Sequence, residues 1–334
     1  DHLDLLEFFP QPDAYFTRQF EEFRHLTAER NTRKKMYSEA REFLLQNGFS
    51  QHTLTDFWQT RLEPSPFKTM LYRNADILGL YMVQKLREKV REFLDFAPGE
   101  AVAPREDVIG TRAALVRRLL TDQLDFISVA KRFIRVREFG DVLAHIVPTD
   151  GNQGRLGGKA AGLILADSIL RHAQATGAWT GTYRVPMSYF IPSNGILEFI
   201  EYNGLEELIN VKYKPVDEVR EEFPLVERLF KSGTFPPTLH AGLESLLEGI
   251  GEVPLVVRSS SLLEDRIGHA FSGKYKSIFI SNRGTLEARL AELEDAIAEV
   301  YASIFHPDPI EYRRERGLLD FQEQMGILIQ EVVG

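Results

Sequence analysis

Three short segments carry residue types able to do chemistry, and all lie after Pro148 in the 334-residue chain. The first is Gly154-Arg155-Leu156-Gly157-Gly158-Lys159-Ala160-Ala161-Gly162, which runs into an apolar stretch through Leu163, Ile164, Leu165, Ile169 and Leu170. Closely spaced glycines beside a lysine, at the start of a helix, offer bare backbone amides, a positive helix terminus and a point charge. That is phosphate-binding chemistry. The segment is not a Walker A loop, because Gln153 and Ala160 stand where that motif needs Gly and Ser or Thr. Taken alone, the same glycines also suit a helix packed tightly beneath a strand.

The second segment is Pro254-Leu255-Val256-Val257-Arg258-Ser259-Ser260-Ser261, an apolar strand ending abruptly in an arginine and three hydroxyls. This sets a guanidinium at the carboxyl end of a strand, where ligands of α/β proteins bind. The stretch that follows contains Glu264, Asp265 and His269 and has glycines at Gly268 and Gly273. It reads either as a lid over phosphates or as a surface loop. The third segment, Met325-Gly326-Ile327-Leu328-Ile329-Gln330-Glu331-Val332-Val333, is apolar for long enough to be buried on both faces. Its polar break at Gln330-Glu331 is a place where an adenine would pair with exposed backbone; alone, it reads as a core strand leading into a turn.

The elements that must position these residues change in texture along the chain. Before Pro148, apolar residues recur at helical spacing, as at Phe16, Phe20 and Phe23 and at Met36, Ala40, Phe43 and Leu44. Further helices are predicted over residues 75–95, 107–121 and 126–146, with a linker at 101–105. After the turn-rich Thr149-Asp150-Gly151-Asn152-Gln153-Gly154, short apolar runs alternate with helices. Strands are predicted at 184–191, 255–257, 275–280 and 326–333. A long helix spans 286–305, and shorter ones cover 195–199, 215–230 and 238–247.

Composition narrows the function classes. With 43% hydrophobic and 27% charged residues the chain is globular, of a length that suits about two domains. It has no cysteine, which excludes a disulfide scaffold, a thiolate nucleophile and cysteine-ligated metal. Forty basic against 49 acidic residues give a net charge of −9, which disfavours nucleic acid as a partner. No apolar run reaches the roughly 20 residues of a membrane-spanning helix. The opening Asp1-His2-Leu3-Asp4 lacks an initiator Met and a signal-peptide layout, as the inside of a longer reading frame would.

In order and spacing, these segments together resemble the nucleotide-binding domain of the pyruvate phosphate dikinase and phosphoenolpyruvate synthase family. The resemblance runs from about Gly154 to Gly334. It includes the Gly-Gly-Lys segment, Val185-Pro186, Val257-Arg258-Ser259-Ser260 through Glu264-Asp265, Ala270-Phe271-Ser272-Gly273, Ala302-Ser303-Ile304-Phe305, Tyr312-Arg313-Arg314-Glu315-Arg316-Gly317 and Ile329-Gln330-Glu331-Val332-Val333. It implies an ATP-grasp fold, in which two α/β subdomains close on ATP. The expected fold class is therefore α+β or α/β: a helical region over 1–147, then the first part of an ATP-grasp domain over 148–334. By matching position, Lys159 and Arg258 would hold the ATP phosphates, Arg258 also stabilising charge on the phosphoryl group in flight. Ser277 falls at a hydroxyl position near the phosphates, and Gln330, Glu331 and Val333 match the segment whose backbone would read the adenine edge.

In such relatives phosphate passes to a histidine on a separate swivelling domain, then to pyruvate or another acceptor. None of the eight histidines here has a phosphoacceptor context. The Mg²⁺ ligands and the acceptor machinery are expected outside this chain, and this portion alone is expected to bind nucleotide weakly or not at all. The resemblance thus implies a cytoplasmic ATP-dependent phosphotransferase. Two alternatives stand beside it: a nucleotide-sensing regulatory module without transfer activity, and a structural scaffold. The helical first half lies outside the resemblance and reads as a partner-binding module or as a cap over the sheet.

Overall fold

The structure is a computed structural model that describes residue 90 and residues 105–150, 154–261, 263, 273–319 and 325–333. The helices predicted around Phe16 and Met36, that over 75–95 apart from Val90, and most of the glycine-flanked stretch after Ser261 lie outside the described residues.

Four strands, β1 (Ser188–Ile191), β2 (Leu255–Ser261), β3 (Ser277–Ile280) and β4 (Met325–Glu331), form one antiparallel sheet in the order β1-β4-β2-β3. The last strand in the chain therefore lies inside the sheet, as its unbroken apolar run requires: residues 325–330 are all buried. Around the sheet stand α1 (Arg105–Leu119), α2 (Leu124–Phe133), α3 (Val136–Ala144), α4 (Gly158–Ala175), α5 (Gly195–Tyr202), α6 (Val216–Lys231), α7 (Pro237–Ile250), α8 (Leu286–Ala302) and α9 (Pro307–Glu315). Among the described residues the fold is thus a mixture of helices with one antiparallel sheet.

The pairing register sorts side chains onto two faces, because residues directly opposite each other share a face and neighbours along a strand do not. One face carries Ile191, Ile327, Ile329, Leu255, Val257 and Ile280, and it is closed by Phe199 of α5, Leu243 and Leu247 of α7, and Leu293 and Ile297 of α8. The other face carries the row Ser188-Gln330-Val256-Phe279 and, next to it, the row Phe190-Leu328-Arg258-Ser277. Its β1 side is covered: Phe190 and Leu328 pack with Ala160, Ala161 and Ile164 of α4 and with Leu115, Ile127 and Phe139 of α1–α3. Its β3 side is open, with Ser277 exposed and Phe279 at 71% exposure. Among the described residues, α1–α3 therefore cap part of the sheet.

Several boundaries differ from expectation for local reasons. The helix predicted over 126–146 is two, because Ile134 and Arg135 are extended and Ile134 is fully buried at the break. The carboxylate of Glu138 accepts from the amide and guanidinium of Arg135, which restarts the helix at Val136. β1 begins at Ser188 rather than 184: Pro186 has no N–H to give a ladder, and the Glu331 carboxylate takes both the Met187 amide (2.9 Å) and the Arg184 guanidinium (2.8 Å). The long helix ends at Ala302, tightens into a 3₁₀ turn over Ser303–Phe305, and stops at His306, which caps the proline-initiated α9. The Ala302–Phe305 and Tyr312–Gly317 strings serve the scaffold here, since the buried Arg313 donates to the carbonyls of Ile304 (2.8 Å) and Pro309 (3.2 Å).

Candidate functional site

The site is built where the amino end of α4 meets the carboxyl end of β2. Gly157 is the residue before α4 and adopts φ +83°, a conformation that favours glycine. A Cβ there would lie 1.7 Å from the carbonyl oxygen of Ser260, so only a bare α-carbon lets the two elements approach this closely. Ser260 then accepts the Ala160 amide on its Oγ at 3.1 Å, supplying from a distant strand the capping bond that helix termini need. One position earlier, the Lys159 ammonium donates to the Oγ of Ser259 at 2.9 Å. Both serines are fully buried.

Arg258 precedes Ser259 on β2, on the half-covered face described above. Its Nη1 donates to the side-chain carbonyl of Gln330 at 3.1 Å. The Gln330 amide nitrogen donates in turn to Ser188 Oγ at 3.0 Å, and Ser188 donates to the Pro186 carbonyl at 2.8 Å. Gln330 is 5% exposed, so this relay fixes the arginine from within the sheet. Ser277 stands directly opposite Arg258 in the β2–β3 register. The start of β3 is held by Lys276, whose ammonium bonds the carboxylates of Glu227 (2.6 Å) and Glu299 (2.8 Å). Burial works against the charge on Lys276, but the two carboxylates outweigh it and raise its pKa above the usual lysine value.

Of the residues singled out from sequence, the structure places Lys159 against the strand position next to Arg258, and it sets Ser277 and Gln330 beside Arg258. Glu331 is not in this group. Its carboxylate faces Arg184 and Met187, and its amide donates to the Met187 carbonyl at 3.0 Å. Val333 follows the end of β4, 47% exposed. Ser259, Ser260 and Ser188 were not singled out individually. The hydroxyl run after Arg258 was a usable signal for the first two, whereas nothing near Ser188 in the sequence marks its bond to Gln330. Glu264, Asp265 and His269 lie outside the described residues.

The groups on β2 and at the facing end of α4 are one ammonium, one guanidinium, hydroxyls and the amide end of an 18-residue helix, chemically a donor set suited to a polyphosphate. Ser259, which holds the ammonium, and Arg258 lie on opposite faces of the strand. Among the described residues no group of three or more His, Asp or Glu side chains is arranged to hold a metal ion, and no helix is long and apolar enough to cross a membrane. Arg258, expected at the carboxyl end of its strand, is the fourth of seven strand residues, because pairing with β4 continues through Ser261. A mixed helix-and-sheet domain with these groups on and beside β2 is of the nucleotide-binding class. Residues 153–334 match the family described as pyruvate phosphate dikinase, AMP/ATP-binding domain. That is more than half of the chain, which belongs to this family and carries its ATP-binding domain.

Proposed function

We propose that the protein is an ATP-dependent phosphotransferase of the dikinase type, with residues 148–334 contributing the first part of its ATP site and residues 1–147 a separate helical region. Lys159 and Arg258 hold the phosphates, and Ser277 lies beside them. Arg258 also stabilises negative charge on the group being transferred, since phosphoryl transfer is catalysed by positioning and electrostatics. Bound ATP supplies the phosphoryl group. The Mg²⁺ ligands and the acceptor site, for pyruvate or another acceptor, belong to parts of the protein beyond these residues. The backbone of Gln330, Glu331 and Val333 is assigned to the adenine edge; the Glu331 and Val332 amides are engaged by the carbonyls of Met187 (3.0 Å) and Pro254 (2.9 Å), so these two amides are not the ones that meet the base.

The observation that supports this reading most directly is the Lys159–Ser259 bond, which ties the lysine of the glycine-rich loop to the strand that carries Arg258. The test uses the full-length protein. Lys159→Ala and Arg258→Ala are each expected to lower ATP consumption by about 10²- to 10³-fold. Unchanged ATP affinity and consumption in both variants would show that these cations do not serve a nucleotide. A pure scaffold would show no ATP-dependent rise in melting temperature even before mutation.

A further inference from the structure

The glycine-rich loop that leads to Lys159 is gripped from two sides. On one side are the strands: Gly157 lies against Ser260, and the Leu156 and Arg155 carbonyls pass over Gly326 of β4, where a Cβ would meet them at 2.9 and 3.3 Å. On the other side is the carboxyl end of α1, a helix outside the residues that match the family.

The last carbonyls of any helix lack partners within it. At α1 the loop supplies them. The Leu156 amide donates to the Leu119 carbonyl at 2.8 Å, and Arg155 Nε donates to the Arg117 carbonyl at 3.2 Å. Arg155 Nη1 also pairs with the Asp122 carboxylate at 3.1 Å, just past the helix. Arg118 reaches back, donating from Nη1 to the Gly154 carbonyl at 3.3 Å. A guanidinium is the favourable charge at the negative end of a helix. Burial, and after it the nearby Arg155 charge, pull the Arg118 pKa below the usual guanidinium value. Ser193 fixes the Arg155 backbone in both directions, accepting its amide on Oγ at 3.0 Å and donating to its carbonyl at 2.8 Å. Residues 154–157 thus close the carboxyl end of α1 and begin the amino end of α4 at once.

We infer that α1 is a working part of the phosphate site: through Arg155, Arg118 and Asp122 its carboxyl end sets the position of the loop from which Lys159 projects. Arg155 and Arg118 are positioning residues, acting through the loop rather than on the nucleotide. The inference rests on the reading of Lys159 as a phosphate ligand. It gives the helical region a role in ATP binding in addition to covering the sheet.

The experiment measures ATP affinity by calorimetry, together with melting temperature, in the full-length protein. Arg155→Ala is expected to raise the ATP Kd at least about fivefold, the lower range of couplings carried between elements. Asp122→Ala, which removes a half-exposed carboxylate and carries little risk to folding, is expected to shift the Kd in the same direction. Arg171→Ala breaks an exposed ion pair with Asp167 further along α4 and is expected to leave the Kd unchanged. If Arg155→Ala and Asp122→Ala lower the melting temperature of ATP-free and ATP-bound protein in parallel, with Kd changes below that size, while Lys159→Ala abolishes binding, then α1 is only a support and the inference fails. If Lys159→Ala also leaves affinity intact, it is the ATP reading itself that fails.

Discussion

The Lys159 ammonium bonds the Ser259 hydroxyl at 2.9 Å across a sequence separation of 100 residues. The bond joins the glycine-rich loop to the arginine strand, the two segments whose chemistry pointed to phosphate independently. Because Ser259 follows Arg258 directly, a shift of α4 relative to β2 changes the spacing of the two cations. The fit of Gly157 against Ser260 holds that spacing, and Gln330 holds the arginine.

Gln330→Glu tests the arginine side of this arrangement. A carboxylate in place of the amide forms a charge-assisted bond with Arg258 and competes with phosphate for it. If the new pair withdraws about 1.4 kcal/mol from phosphate binding, ATP affinity falls about tenfold. Calorimetric titration of the full-length variant measures this, with circular dichroism to show that the fold is retained. An unaltered Kd would mean that Arg258 is not aimed at the nucleotide.

Gly157→Ala, just before α4, and Gly162→Ala, within it, form a matched pair. At Gly157 the added methyl meets the Ser260 backbone at 1.7 Å and φ is +83°, so a loss of at least about 3 kcal/mol is expected. At Gly162, exposed within α4, a Cβ meets nothing within 4 Å, and alanine is expected to stabilise by about 0.5–1 kcal/mol. Urea midpoints resolve the difference. Equal midpoints would show that α4 does not press on the end of β2.

Tyr301→Phe addresses the interior. The ring is 0% exposed, and its hydroxyl has no hydrogen-bond partner among the described residues. Removing the hydroxyl is expected to leave stability unchanged or to raise it by up to about 1–3 kcal/mol. Burial, and secondarily the charge of Glu198, raise the phenol pKa in the folded state. The folded protein therefore holds this proton more tightly than the unfolded chain, whose value is about 10. The stability linked to it is complete below that pH and is lost as pH rises beyond. Melting temperatures from pH 9 to 11.5 should fall more steeply for the native protein than for Tyr301→Phe; parallel curves would show that Tyr301 ionises without penalty.

Much of the outline was legible in the residues. The uninterrupted apolar run of β4 announced a strand buried on both faces, and all four strands lie after Pro148, where the texture of the sequence changes. Glycines, Lys159 and Arg258 advertised phosphate chemistry by residue type. Helix boundaries near 134 and 302 were harder, because each depends on a distant or compact environment: a fully buried Ile134 at one, and a turn locked by Ser303 and His306 at the other.

The sequence by itself determined which groups could carry charge to a phosphate and which segments had to be strand or helix, since side-chain chemistry and periodicity are local properties. Only the tertiary structure decided that Ser259 holds the lysine, that Ser188 and Gln330 orient the arginine, and that α1 closes onto the loop before α4. Those contacts join residues 33 to 142 positions apart. Bonds of that kind are set by how the sheet pairs and how helices pack on it, and no window along the chain contains both partners.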